Sequence, residues 1–469
     1  MNNTHDQAMH YVYQQVLQRI FEHLNQAQRA SIQLLMQRLL VIAGGHAQIA
    51  DLRLVLLHGG DQRSAHLLAY LRAAQLSIAL RHHATFRLRV LIARSPGLDR
   101  ATLASHERCF SALFLHDDPR VELLLSDGER LEPFIAGETS GCGQLGDAGK
   151  AWLLFGHLSG GQPDALLGGQ AYLMLAEGLS QALAGADPEG GVDALVTVAP
   201  AVQRRRLLAW ARRCLSQACD AAPPALPQCV RVLTQQLAQL RYRLDDPAPS
   251  VQVALPAQAA RPLRVVAVDD LLQLDDGASL EHMLGRREVL PCQLQGLAGL
   301  FDPLALAHLH GLHGQYVSLL GYREGVQGLL QRLGQSQLAW PEEYSLQAQA
   351  SFAQAYGVSE EQLVCLLLTP FEARGRNLER YVQRCHPRMR VALPYLHRAL
   401  QGRPCPALVS QWLVDVSGLE LVHLRALYAG TLPAQVSLQA QVLARRDLWL
   451  RLLPLPAQEQ VDPQRLRRG

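Results

Sequence analysis

Short apolar runs spaced by helix-length stretches constrain this chain more than any other feature. LRLVLL (52–57), RLRVLIA (87–93) and VELLL (121–125) each read as a strand too apolar to leave a face in water. Asp61 caps a predicted helix to about His82, and a second predicted helix runs from about Asp99 to Leu115. Strands buried on both faces and joined by helices make a parallel sheet with crossover connections. AWLLF (151–155), VDALVTVA (192–199) and LRVVAV (263–268) are further strand candidates. Residues 47–270 are therefore expected to form an α/β, Rossmann-like domain. Two segments interrupt it, a Gly-rich loop at 136–150 and a Pro/Ala-rich excursion at 246–262.

On either side the period changes. Met9, Tyr13, Val16, Ile20, Leu24 and Ala27 fall three or four residues apart, which predicts one long amphipathic helix over 8–42, stopped by Gly44 and Gly45. Residues 1–46 are thus an N-terminal helical region. From Leu271 onward the patterns are helical, so residues 271–469 form an expected all-α domain. AAPPALP (221–227) separates two helices inside the α/β region.

With 469 residues, 49% of them hydrophobic and 18% charged, the chain is long enough for two or three globular cores. No run of eighteen apolar residues suggests a membrane span, and the first ten residues do not read as a secretory signal. Nine cysteines without a CxxC pair suit reduced thiols, so the expected place is the cytoplasm of a bacterium. Net charge is +3, yet Lys150 is the sole lysine, so any lysine-dependent chemistry has one candidate.

LSGGQ (158–162) spells the signature loop of an ATP-binding cassette, and the resemblance ends with those five letters. A cassette needs a phosphate loop whose lysine and Ser/Thr serve phosphate and metal. Lys150 stands in GDAGKAW, where Gln144 replaces the upstream glycine and Ala151 the hydroxyl. The acidic strand end VVAVDD, with Asp269 and Asp270, comes more than a hundred residues after LSGGQ, too late for the cassette order. LSGGQ reads instead as a glycine turn before a helix that starts near Pro163. The turn His58-Gly59-Gly60-Asp61 after the first strand suits a degenerate nucleotide or anion site on backbone N–H groups.

Other chemistry is thinner. Cys142 in SGCGQ and His58 would make a Cys–His pair if the fold brought them together. His308, His310 and His313 lie in AHLHGLHG, but residues two apart leave opposite sides of a helix, so no metal is called for. HDD (116–118) reads as solvated acids at a turn. FAQAYGVSEEQLVCLLL (352–368) and WLVDVSGLELVHLRALYAG (412–430) resemble helix-turn-helix DNA readers over those windows only. A reader helix offers Arg, Lys, Asn or Gln to bases, whereas these offer Glu360, Glu361 and Glu420, with Arg425 further along. Plain αα-hairpins explain the same letters. QRRRLLAWARR (203–213) places Arg204, Arg205, Arg206, Arg212 and Arg213 on a charged face able to meet an acidic partner, while Leu207, Leu208, Trp210 and Ala211 turn inward. The Arg-rich tail 445–469 could also reach a partner.

The expectation for function is a non-catalytic adaptor or regulatory subunit that works through protein partners, with a homo-oligomer as one option, without cofactor. One alternative is a ligand-sensing or DNA-binding regulator with a degenerate nucleotide-binding domain. The other is an enzyme using the strand-end loops.

Overall fold

Six strands make one sheet in the computed structural model: β1 (Arg53–Leu57), β2 (Arg87–Ala93), β3 (Val121–Ser126), β4 (Leu131–Pro133), β5 (Ala194–Thr197) and β6 (Arg264–Ala267). The order is β4-β3-β2-β1-β5-β6, and every pairing is parallel except the antiparallel edge pair β3–β4. The structure describes residues 2–82, 84–94, 100–126, 131–137, 148–184, 191–215, 225–245, 263–272, 278–285, 302–333 and 340–444. Cys142, most of the Gly-rich loop, the 246–262 segment and the basic tail lie outside the described residues.

One face of the sheet is covered by α1 (Asn2–Glu22), α2 (Gln26–Ala43), α3 (Gln62–His82), α4 (Arg100–Ala112) and α9 (Ala278–Met283), whose apolar sides join Leu54, Leu56, Leu88, Val90 and Val196 in one core. The other face meets α6 (Pro163–Ala184) and α8 (Leu226–Asp245), with Val55, Leu91, Leu179, Leu183 and Leu195 between them. On their far sides α6 and α8 enter a larger core. That core also holds α5 (Ala148–Leu158), α7 (Ala201–Leu215) and the C-terminal helices α10 (Pro303–His313), α11 (Tyr322–Arg332), α12 (Glu342–Tyr356), α13 (Glu360–Leu368), α14 (Leu378–Cys385), α15 (Leu393–Leu400), α16 (Ala407–Ser417), α17 (Leu421–Ala429) and α18 (Ala434–Leu443). The protein is an α/β sheet followed by an all-helical region, as the apolar pattern predicts.

Three elements differ from expectation. The helix over 8–42 is two helices. Asn25 accepts the Gln28 backbone N–H at 2.8 Å while Gln28 Oε1 accepts from the Asn25 N–H at 3.0 Å, a reciprocal cap that starts α2 afresh. The apolar stripe therefore ends at Leu24, and Ala27 is exposed. AWLLF is the centre of α5, not a strand: Ala151 to Phe155 are all under 5% exposed. A run apolar on every side suits a helix surrounded by helices as well as a buried strand, so its period is uninformative. Asp118 is not a solvated turn acid. Its side chain is fully buried between Arg72 and Arg120, each at 2.6 Å.

The LSGGQ letters end α5 and open α6 at Pro163 as a glycine turn. Gly160 and Gly161 have φ of 69° and 65°. A Cβ on Gly161 would lie 2.3 Å from the Leu367 carbonyl oxygen, so the turn is pressed onto the end of α13.

Candidate functional site

Parallel strands release the chain at one edge, and ligands of such sheets sit where the strand order reverses. Here β1 pairs with β2 on one side and β5 on the other, so the reversal lies beside the carboxyl end of β1. His58, Gly59, Gly60 and Asp61 occupy that end. The His58 N–H donates to the Leu91 carbonyl at 2.8 Å, prolonging the ladder by one residue. The ring is 3% exposed, and its Nδ1 lies 2.8 Å from Nδ1 of His106, itself 2% exposed on α4. One nitrogen must hold the shared proton and the other accept it, so two imidazolium rings would break this contact. Phe110 packs 5.5 Å from His58. Gly60 has φ 73°, and a Cβ there would sit 3.0 Å from the His106 ring, so a side chain would be strained and would crowd that ring.

Asp61 caps α3. Its Oδ1 accepts the Ser64 N–H at 3.2 Å, and its carbonyl accepts from Ser64 Oγ at 3.0 Å. A helix N-terminus attracts anions, and here a carboxylate of the chain itself already sits there. A phosphate arriving at this turn would meet that negative charge.

The carboxylates at the end of β6 are also engaged. Asp269 binds Arg204 of α7 at 2.5 Å, and Arg204 donates in addition to the Ala199 carbonyl. Asp270 receives both terminal nitrogens of Arg38 on α2, at 3.0 and 2.7 Å. The hydrogen bond from Arg38 holds the Asp270 carboxyl below the usual range. A magnesium ion would have to displace both guanidinium groups. Because β5 lies between β1 and β6, the turn at 58–61 and the Asp269–Asp270 pair stand about 10 Å apart, two strand spacings.

The remaining candidates are dispersed. Arg205, Arg206 and Arg212 are exposed on α7, and Arg213 belongs to that helix, while Trp210 and Ala211 are buried. Lys150 pairs with Glu420 at 2.6 Å, both exposed. His308 bonds Tyr322 Oη at 2.9 Å, whereas His310 pairs with Asp164, so the histidines of AHLHGLHG diverge. No group of three metal-binding side chains gathers among the described residues. Both helix-turn-helix windows are hairpins, turning at Gly357 and Gly418 in left-handed conformation. The helix after the first turn buries Leu363 to Leu368 continuously, and Arg425 in the second donates Nε to the Ala399 carbonyl at 3.0 Å.

Two buried ionic clusters escape a reading by motif. Arg72, 0% exposed, binds Asp118, Gln75 and the carbonyls of Leu113 and Phe114. Asp164, in the first turn of α6, holds His310 of α10 and Arg332 of α11. A signal for the first existed: Arg72 is the one Arg, Lys, Asp or Glu in the buried stretch Ser64–Ile78.

Order and reversal point define a doubly wound α/β fold with a helical body built onto one face. No family model matches the chain, and neither curated proteins nor solved structures yield a match.

Proposed function

We propose that this protein is a non-catalytic adaptor or regulatory subunit that acts by binding other proteins. The observation that carries the reading is how the strand ends are used. Asp61 is spent on the α3 cap, Asp269 on Arg204, Asp270 on Arg38, and His58 on His106. Each of these groups is held by a partner within the chain, so a ligand would have to break a contact of the fold to use it. Support for partners comes from the helical body. Val391, Leu408 and Val422 are 86%, 84% and 60% exposed, on or beside α15, α16 and α17, which pack together. Large apolar groups left in water on neighbouring helices suit a protein contact. The exposed arginines of α7 add a face for an acidic partner.

The test is co-purification of the tagged chain from its host at moderate salt, beside Val391→Asp and Leu408→Asp variants with unchanged circular dichroism. A partner at fixed stoichiometry that is lost from the variants supports the reading. A chain that elutes alone as a monomer, with the variants behaving identically, refutes it.

A second reading rests on the order reversal beside β1, where ligands bind in open α/β sheets. It is a ligand-sensing role for the 58–61 turn. A small molecule that raises the melting temperature, with the rise abolished by His58→Ala, would favour it over the first.

A further inference from the structure

The helical body contains a groove of about 310 Å³ that the strand-end chemistry does not touch. It lies between the end of α10, the start of α11 and the outer face of α12, within the volume range of small-ligand sites. Its back wall depends on glycine. A Cβ on Gly311 would fall 2.4 Å from the Tyr322 ring, and one on Gly325 would fall 2.2 Å from the His310 carbonyl oxygen. These bare positions let α11 press against α10 and lay Tyr322 across it, where its hydroxyl meets His308 Nδ1 at 2.9 Å. Between the two helices the chain makes a π-helical turn at Gly314–Ser318 and a left-handed residue at Leu319, φ 59°. Turns of that kind concentrate at functional sites.

The lining has a definite chemistry. Tyr322 and Trp340 supply two aromatic surfaces, and Trp340 is fixed by its indole N–H donating to Ser345 Oγ at 3.1 Å. Glu342 and Glu360 supply two carboxylates against one guanidinium, that of Arg323. Gln349 Nε2 holds Glu360 Oε2 at 2.6 Å, and Glu342 makes no ion pair among the described residues. His308 is 3% exposed, and burial pushes its pKa down to about 4, so it adds no positive charge at neutral pH. Its Nε2 is buried without a hydrogen-bond partner among the described residues.

We propose that this groove binds a small organic cation, an ammonium or guanidinium group on a short aliphatic chain. Tyr322 and Trp340 provide the aromatic faces, and Glu342 and Glu360 the opposing charge. An anion would meet two carboxylates, and a purely apolar ligand would strip water from them without return. A cation gains from both the ring faces and the acids. Its test uses small cations alone, so its outcome stands apart from that of the adaptor reading.

The experiment is isothermal titration of the full chain with agmatine, putrescine and N-acetyl-arginine amide. Binding with Kd on the order of 0.1–1 mM is expected for a shallow site of this size. It should weaken between ~0.05 M and ~0.5 M salt as screening grows. Glu342→Gln and Glu360→Gln, checked for unchanged circular dichroism, should each weaken it on the order of fivefold. Arg323→Gln should tighten it. Tighter binding of agmatine marks a free amine ligand, and tighter binding of the arginine amide marks a peptide-borne side chain. No heat from any of the three cations, or binding indifferent to both glutamate substitutions, overturns the proposal.

Discussion

Replacing Asp118 by asparagine should unlatch the α/β half from inside. The carboxylate is 0% exposed and holds Arg72 and Arg120 at 2.6 Å each. Arg72 is equally buried, and its remaining bonds go to Gln75 and two backbone carbonyls, none of which neutralises its charge. Burial alone would raise the Asp118 pKa, but the Arg120 hydrogen bond and the Arg72 charge outweigh it and hold the group at about 2, against an ordinary 3.8. That difference corresponds to about 2 kcal/mol of stability at neutral pH. Leaving Arg72 without its counter-charge is the costlier consequence, and Asp118→Asn should destabilise by about 3–5 kcal/mol. The sign with pH follows from the depressed pKa: the contribution is whole above about 4 and is lost as pH falls towards about 2. The assay needs care, because Trp152, Trp210, Trp340 and Trp412 all pack in or against the helical core, so their fluorescence follows that part. Hydrogen exchange of peptides from α3 and α4, across a urea series at pH 7 and at pH 3, reads the right region. Wild type should lose protection at pH 3, and the variant should be weak at pH 7 with a flatter acid dependence. A variant within about 0.5 kcal/mol of wild type at pH 7 would refute the reasoning.

Three further predictions concern the helical body. Gly161→Ala drives a Cβ into the Leu367 carbonyl at 2.3 Å and should cost about 3 kcal/mol in urea unfolding, against about 1 for Gly160→Ala, whose Cβ meets open space; equal costs would mean that the turn does not lean on α13. Burial raises the Glu372 carboxyl to about 7 from 4.5, so stability should be greatest below pH 4.5 and fall as pH rises through 7; Glu372→Gln should remove that slope and gain about 1–2 kcal/mol at pH 8, discounted for partial exposure. Arg425→Ala should cost about 1 kcal/mol through the lost bond to Ala399 and leave fluorescence anisotropy with DNA at low salt unchanged; a fall in DNA affinity at constant stability would return Arg425 to a reader's role.

What the chain discloses in advance depends on how local the cause is. Leu54 to Leu56 and Val90 to Ile92 are buried because their own letters are apolar, so the parallel sheet was legible. Asp61 and Gly44 act on the residues beside them, and both were legible as helix boundaries. The strand-end turns fall at the edge where the pattern places them. Their Arg38 partner does not announce itself, because it lies 232 positions from Asp270. AWLLF misleads for a related reason, since only the helices around it decide that it coils. The groove behind Tyr322 is less visible still: Gly311 and Gly325 matter through what a Cβ would strike on another helix, and no spacing rule encodes that.

The helix α6 is a party wall. Near its start, a Cβ on Gly169 would come within 2.3 Å of Phe155 in the helical core. Nine residues later, a Cβ on Gly178 would come within 2.2 Å of Ser126 on the sheet. One rigid rod is thus fitted to two neighbours at once, and it cannot slide, tilt or thicken to suit one without trespassing on the other. Variants selected for activity in either half should therefore leave this helix untouched, or change it together with Phe155 on one side and Ser126 on the other.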